Sequence, residues 1–276
     1  MIKEETGYFS SFDGTGIFYR AWNKKSKHCL IIVHGIGEHS GRYYDLIHEL
    51  IELPLSVYTF DLRGHGRSEG RRVYVDRFDD FIKDLIELRS FILKRNPGCS
   101  FSLLGQSLGG LISTSAVLYQ QDLWKSLILL SPFLAVYLGH PFLSTIAAIL
   151  NRYSPDYVVH NPIEPFSLTH VLEEIVKYKQ DPDIQRRITG RLAHEMFLGC
   201  KRVQSRMGEL VIPIFILAAG KDRIVSSKAA QNFYNRVSSA DKRIEIFPNC
   251  YHEILHENEK WEAIQMIKTY LNNLGL

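Results

Sequence analysis

Cys99-Ser100-Phe101-Ser102-Leu103-Leu104-Gly105-Gln106-Ser107-Leu108-Gly109-Gly110-Leu111-Ile112 is the stretch that decides how the chain is read. Residues 101–104 make a short apolar run of strand length, and a helical apolar pattern begins within a few residues of it. Between the two, Gly105-Gln106-Ser107-Leu108-Gly109 spells G-x-S-x-G in a strand–turn–helix setting, the sequence form of a nucleophile elbow. Such a turn holds a serine hydroxyl clear of the sheet. That requires a strained backbone at the serine and neighbours without bulk. Gly105, Gly109 and Gly110 supply the room. The start of the helix also points free N–H groups and a partial positive charge at the same spot. Taken alone, the pattern equally describes an incidental serine in a glycine-containing turn, so the rest of the chain has to decide.

Upstream, residues 8–12 and 17–22 flank the turn Asp13-Gly14-Thr15-Gly16, a hairpin signal. Residues 29–33 are a continuous apolar run, as in a strand covered on both faces, and end in His34-Gly35-Ile36-Gly37-Glu38-His39. Helical spacing covers 43–52, and a short strand at 57–60 leads into the glycine-punctuated loop 61–70. Residues 78–94 form an amphipathic helix with Phe78, Phe81, Ile82, Leu85, Leu88 and Ile92 on one side. Downstream, the pattern predicts a helix over 108–120, strands over 126–130 and 212–218, and a helix capped by Ser226 that runs to 237. A strand over 243–247, a loop over 248–252 and a helix over 261–271 complete the chain. This alternation predicts an α/β fold, a mostly parallel central sheet flanked by helices. From 133 to 199 the alternation stops. There the helical patterns, chiefly over 166–179 and 183–198, are broken by prolines, and no strand pattern is present. Residues 1–132 and 200–276 therefore form the expected core, and 133–199 an inserted helical cap.

With 276 residues, 45% of them hydrophobic and 23% charged, the chain suits one large α/β unit with an insertion. A net charge of +3 with interspersed signs argues against a dedicated nucleic-acid binder. Cys29, Cys99, Cys200 and Cys250 lie far apart with no C-x-x-C spacing, so reduced thiols in a cytoplasmic compartment are expected, not disulfides or a zinc site. The first seven residues carry acids and no apolar run, so no secretory leader is expected.

The elbow requires a serine, then an acid, then a histidine, in that chain order. Of eleven histidines, only His252 and His256 follow a suitable acid beyond the insertion. Asp222 comes just after a buried strand, at the carboxyl edge where catalytic groups of parallel sheets gather. Asp241 precedes a strand and falls at the opposite edge. His252 lies in the loop after the last strand, whereas His256 is expected in a helix. Ser107, Asp222 and His252 are thus the candidate nucleophile, orienting acid and base. The backbone N–H groups of Leu108 and Ile36 are the candidate oxyanion donors. His34, Gly35, Asp61, His65 and Ser68 are expected to fix loops at the sheet's edge, and Cys250 to be an inert buried thiol.

Five separated segments now carry a specific resemblance. They are residues 34–43 (HGIGEHSGRY), 61–70 (DLRGHGRSEG), 105–110 (GQSLGG), 220–225 (GKDRIV) and 251–257 (YHEILHE). In this order they resemble the monoacylglycerol lipase and lysophospholipase branch of the α/β-hydrolases. The resemblance implies hydrolysis of single-chain acyl esters of glycerol or glycerophosphate through an acyl-enzyme on Ser107, with no cofactor and no metal. Gln106 stands where that family usually has His, Leu108 where Met is common, and Ile36 where a small residue is frequent. The same triad also serves amidases, peptidases and thioesterases.

One motif competes. His252-Glu253-Ile254-Leu255-His256 satisfies H-E-x-x-H, which on a helix puts two histidines on one face for zinc with Glu253 as base. The extended form of that motif fails, because Glu259 and Glu262 occupy its further positions. Residues 134–150 are the most apolar stretch, with no charge in seventeen residues. As a helix this stretch reaches ~25 Å, short of a ~30 Å hydrocarbon core, and Gly139 and Pro141 break it. The expected role is a lid, with Leu143 and Ile146 lining an acyl channel and the outer side touching a membrane surface. The expected partners are therefore a lipid ester and a peripheral membrane contact, with no nucleic acid.

Overall fold

The structure is a computed structural model that describes residues 2–135, 142–160 and 163–275. Ten strands form among the described residues, and eight of them make one sheet. In chain order these are β1 (Glu5–Ser10), β2 (Gly16–Trp22), β3 (His28–Val33), β4 (Ser56–Phe60), β5 (Ser100–Gln106), β6 (Ser126–Leu130), β9 (Ile214–Ala219) and β10 (Lys242–Phe247). Their spatial order is β1-β2-β4-β3-β5-β6-β9-β10. Only β2 runs against its neighbours, and every other adjacent pair is parallel.

The apolar runs of the central strands are explained by helices on both faces. All six residues of β3 are buried. Cys29, Ile31 and Val33 pack into the cluster shared with α2 (Phe78–Arg95), α3 (Leu108–Tyr119) and α8 (Ser227–Arg236). Leu30 and Ile32 face the opposite cluster, built on α1 (Tyr44–Leu50) and α9 (Lys260–Asn273). Strand β9 divides the same way, with Ile214, Ile216 and Ala218 on one side and Phe215, Leu217 and Ala219 on the other. Ser226 caps α8 as its sequence predicts, its hydroxyl accepting from the Ala229 N–H at 3.3 Å.

The sheet reverses its order of assembly at β3. Strand β4 is laid down on one side of β3 and β5 on the other, so the loops after β3 and β5 open side by side at the carboxyl edge. The closeness is measurable, since a Cβ on Gly35 would stand 3.2 Å from the Cβ of Ser107.

Between β6 and β9 lie α4 (Leu143–Tyr153), β7 (Val158–His160), α5 (Pro165–Leu168), α6 (Leu172–Gln180), β8 (Arg187–Thr189) and α7 (Gly190–Arg206). Two expectations change here. Sequence pattern predicts no strand, yet β7 and β8 pair antiparallel, with Val159 opposite Ile188. Each is three residues long, too short for alternation to register. The helices expected over 166–179 and 183–198 are also divided differently. Extended Thr169 separates α5 from α6, and α7 begins only at Gly190, where Thr189 caps it through a bond from the Leu192 N–H. Helix α7 then runs unbroken past residues 199 and 200. Pro141, Gly139 and the rest of 136–141 lie outside the described residues, as does Pro162. No helix among the described residues is long and apolar enough to cross a membrane.

Candidate active site

Strand β5 ends at Gln106 and α3 starts at Leu108, leaving Ser107 alone in the turn with φ +51° and ψ −115°. A non-glycine residue in that conformation costs roughly 1–3 kcal/mol and persists only where its surroundings hold it. Here the Ser107 N–H donates to the Leu130 carbonyl at 3.0 Å, and its own carbonyl accepts from Phe133 at 2.9 Å. The elbow can be this tight because a Cβ at Gly105 would lie 2.4 Å from the Gly109 carbonyl oxygen, and one at Gly109 would lie 2.0 Å from that of Val33. Only glycine lets α3 approach β3 and β5 so closely.

Asp222 follows β9 by three residues and His252 follows β10 by five, so both loops rise from the carboxyl edge that carries Ser107. The Asp222 carboxylate is held at one oxygen by the N–H groups of Ile224 (2.8 Å) and Val225 (2.9 Å). Its other oxygen accepts from His252 Nδ1 at 2.7 Å. With the proton on Nδ1, Nε2 remains a free base. Burial opposes charging the ring, but the negative charge of Asp222, joined by Glu253 and Glu38, outweighs it and raises the His252 pKa above the ordinary 6.5.

Ser107 and His252 line one narrow pocket together with Gly35, Ile36, Glu38, Gln106 and Glu253. Ile163, Leu168 and Tyr178, from the segment between β6 and β9, close it. Leu108, the first residue of α3, directly follows Ser107 in the chain. Among the described residues, the N–H groups of Ile36 and Leu108 have no carbonyl or side-chain acceptor. Gln106, the departure noted in sequence, reaches across to the His252 carbonyl at 3.4 Å through Nε2.

Of the loop residues, Gly35 lines this pocket, whereas His34, Asp61, His65 and Ser68 are not among its lining residues. His34 Nε2 accepts from the Leu62 N–H at 2.8 Å while its Nδ1 donates to the Gly35 carbonyl at 2.7 Å, and burial pushes its pKa down to about 4. His65 is likewise pushed down to about 3 by burial, with Nδ1 donating to the Arg63 carbonyl. Asp61 accepts from the N–H groups of Ser40 and Arg67, and the Ser68 hydroxyl serves the Asp61 carbonyl. These groups tie the 34–43 and 61–70 loops together. Cys250 is fully buried and points to Glu259.

Three features depart from expectation or were missed. The H-E-x-x-H segment is not a helix: His252 sits in a loop and only Ile254–His256 forms a 3-10 turn. His252 Nδ1 is committed to Asp222 and His256 Nδ1 approaches Glu253 at 3.4 Å, so the paired histidine face that zinc needs does not form. Residues Leu143 and Ile146 do not line the cavity; Ile146 is half exposed on the outside of α4. Apolar composition marks an apolar helix but not which way its faces turn. Sequence reading also missed Arg42, which grips Glu253 with two bonds of 2.7 Å and reaches Glu38 at 3.1 Å. Burial alone would raise the Glu253 pKa, yet Arg42 holds it down to about 2. The signal available was the four-residue spacing of Glu38 and Arg42.

The family described as serine aminopeptidase, S33, matches residues 24–259. The chain is 31% identical over 253 residues to the monoglyceride lipase of Homo sapiens, covering 89% of this chain and 82% of that protein. It is 26% identical to a monoacylglycerol lipase of Mycolicibacterium smegmatis, over 95% of each. The crystal structure of Paleococcus ferrophilus monoacylglycerol lipase superposes with a TM-score of 0.87 at 27% identity, covering 94% of this chain and 99% of that one.

Proposed function

The chain belongs to the serine aminopeptidase S33 family, serine hydrolases of the α/β-hydrolase fold, and from that premise we propose that it cleaves single-chain acyl esters of the monoacylglycerol type. What carries the reading is the 2.7 Å contact of Asp222 with His252 beside a serine held at φ +51° in the same cavity. In this reading His252 Nε2 takes the proton from Ser107 as its oxygen attacks the ester carbonyl. The oxyanion is met by the N–H groups of Ile36 and Leu108, each worth on the order of 10²–10³ in rate. The imidazolium, stabilised by Asp222, returns its proton to the departing alcohol. Water then releases the acyl group from Ser107 by the same steps. Relatives named for glyceride cleavage favour an ester over the amide, peptide and thioester alternatives.

This role for His252 has a pH signature. Only the neutral ring accepts the serine proton, and its pKa lies above 6.5. Activity therefore rises with pH, and the acid limb of kcat/KM has its midpoint above 6.5. A profile of a soluble ester measured from pH 5 to 9 checks it, and a midpoint at or below 6.5 contradicts it.

Residues 133–199 are proposed as a cap over the site, with α4 its contact with a lipid surface. Ile146, Ile149 and Tyr153 are exposed at spacings of three and four, and Phe142 extends the stripe. A helix with one apolar exposed face lies in the interface rather than across it. Substituting both Ile146 and Ile149 by Ser is expected to lower hydrolysis of monoacylglycerol in vesicles about tenfold while leaving a dissolved short-chain ester within about twofold. Assays of both substrates check this, and equal losses on both would remove the membrane role.

A further inference from the structure

The loop with the Ile36 donor and the loop with His252 come from strands on opposite sides of β5, and one side chain joins them. Arg42, almost fully buried, sends Nη1 and Nη2 to the two oxygens of Glu253, and Nη1 also to Glu38 Oε2. Glu38 in turn uses Oε1 to accept from the Gly35 N–H at 2.5 Å and from the Tyr43 hydroxyl at 2.9 Å. Gly35 is the residue before Ile36, and Glu253 is the residue after His252. The guanidinium face is covered by the Tyr178 ring at 5.0 Å, and the Glu253 N–H is held by the Leu168 carbonyl at 2.9 Å, so the roof of the cavity rests on the same unit.

We propose that Arg42 is a positioning residue: through Glu38 and Glu253 it sets the spacing between the Ile36 N–H and the His252 ring. The inference rests on the reading of the site given above. Burying one cation between two carboxylates is a poor way to gain stability, since well-packed apolar side chains do as well or better. What a guanidinium adds is direction. Its planar fork fixes both partners in orientation and distance, which a flexible ammonium cannot do. The placement matters because an error of about 1 Å among reacting groups costs on the order of 10² in rate.

The test uses the full chain and a dissolved para-nitrophenyl ester, with thermal melting to establish folding. Labelling of Ser107 in the wild type by a fluorophosphonate tests the underlying reading separately, since its failure would remove the serine mechanism whatever Arg42 does. Arg42→Lys keeps the charge and loses the fork. It is expected to lower kcat about 10²-fold with KM within about threefold. Glu38→Gln and Glu253→Gln each weaken one end of the link, for an expected loss of about tenfold apiece. Because either substitution loosens the same connection, the double variant is expected to lose no more than about threefold beyond the worse single one. A folded Arg42→Lys with kcat within twofold of wild type overturns the proposal, and so do losses that multiply in the double variant. Should Arg42→Lys not fold, the two glutamine variants and their combination decide alone.

Discussion

Ser107→Ala is expected to yield a folded protein that has lost a factor of ~10⁴ or more in ester hydrolysis, with or without EDTA. Alanine removes the attacking oxygen and leaves Asp222, His252 and the two N–H donors in place. Stability is expected to change little, because the backbone bonds of the elbow hold Ser107 and alanine takes the same strained conformation. Ser107→Gly sharpens the test. Glycine adopts φ +51° without the penalty of a side chain, so this variant is expected to be equally inactive and more stable than the wild type by about 1 kcal/mol or more. Activity that survives Ser107→Ala and disappears with EDTA would instead restore the metal reading of the H-E-x-x-H segment. Calorimetry and an ester assay on the three proteins supply every comparison.

Gly109→Ala carries the second large effect, this time on the fold. The new methyl group would lie 2.0 Å from the Val33 carbonyl oxygen, at the end of β3, and 2.5 Å from that of His34, the residue after it, both fully buried. Neither neighbour is a side chain that can turn aside, so α3 has to move off the sheet. Overpacking of this kind costs about 3 kcal/mol or somewhat more, a fall in melting temperature of about 6–12 °C. The same displacement carries the Leu108 N–H away from the oxyanion, so rate falls together with stability. Gly208→Ala is the control, because its added methyl would meet nothing nearer than the Arg236 carbonyl oxygen at 3.7 Å. A melting temperature for Gly109→Ala equal to that of Gly208→Ala would contradict the close-approach argument.

The parts of the molecule that a local pattern can encode are legible in the sequence. Strands β3, β5, β6 and β9 are buried on both faces, and continuous apolar runs announce them. The elbow is local too, because glycine is dictated by contacts within a few residues of Ser107 or on the adjoining strand. Chain order then pointed to Asp222 and His252, which the structure brings into contact. The less legible parts depend on distant neighbours. Arg42 and Glu253 are separated by 211 positions, and nothing in either segment names the other. Strands β7 and β8 are stabilised by each other more than by their composition. The outward turn of Ile146 depends on where α7 packs, and helix periodicity gives a stripe without saying what it faces.

Helix α7 decides where this chain tolerates a recombination joint. Its buried side chains Leu192, Met196, Cys200 and Val203 belong to the main core cluster, alongside residues of β3 and α3. A recombination joint at residue 199 or 200 would cut through this row and pair half of one protein's packing with half of another's. A joint placed before Thr189 keeps the whole helix and its cap residue with the parent sheet, but it cuts β8 and parts Gly190 from Leu150 of α4, so α7 ties the segment before it to the core from both sides.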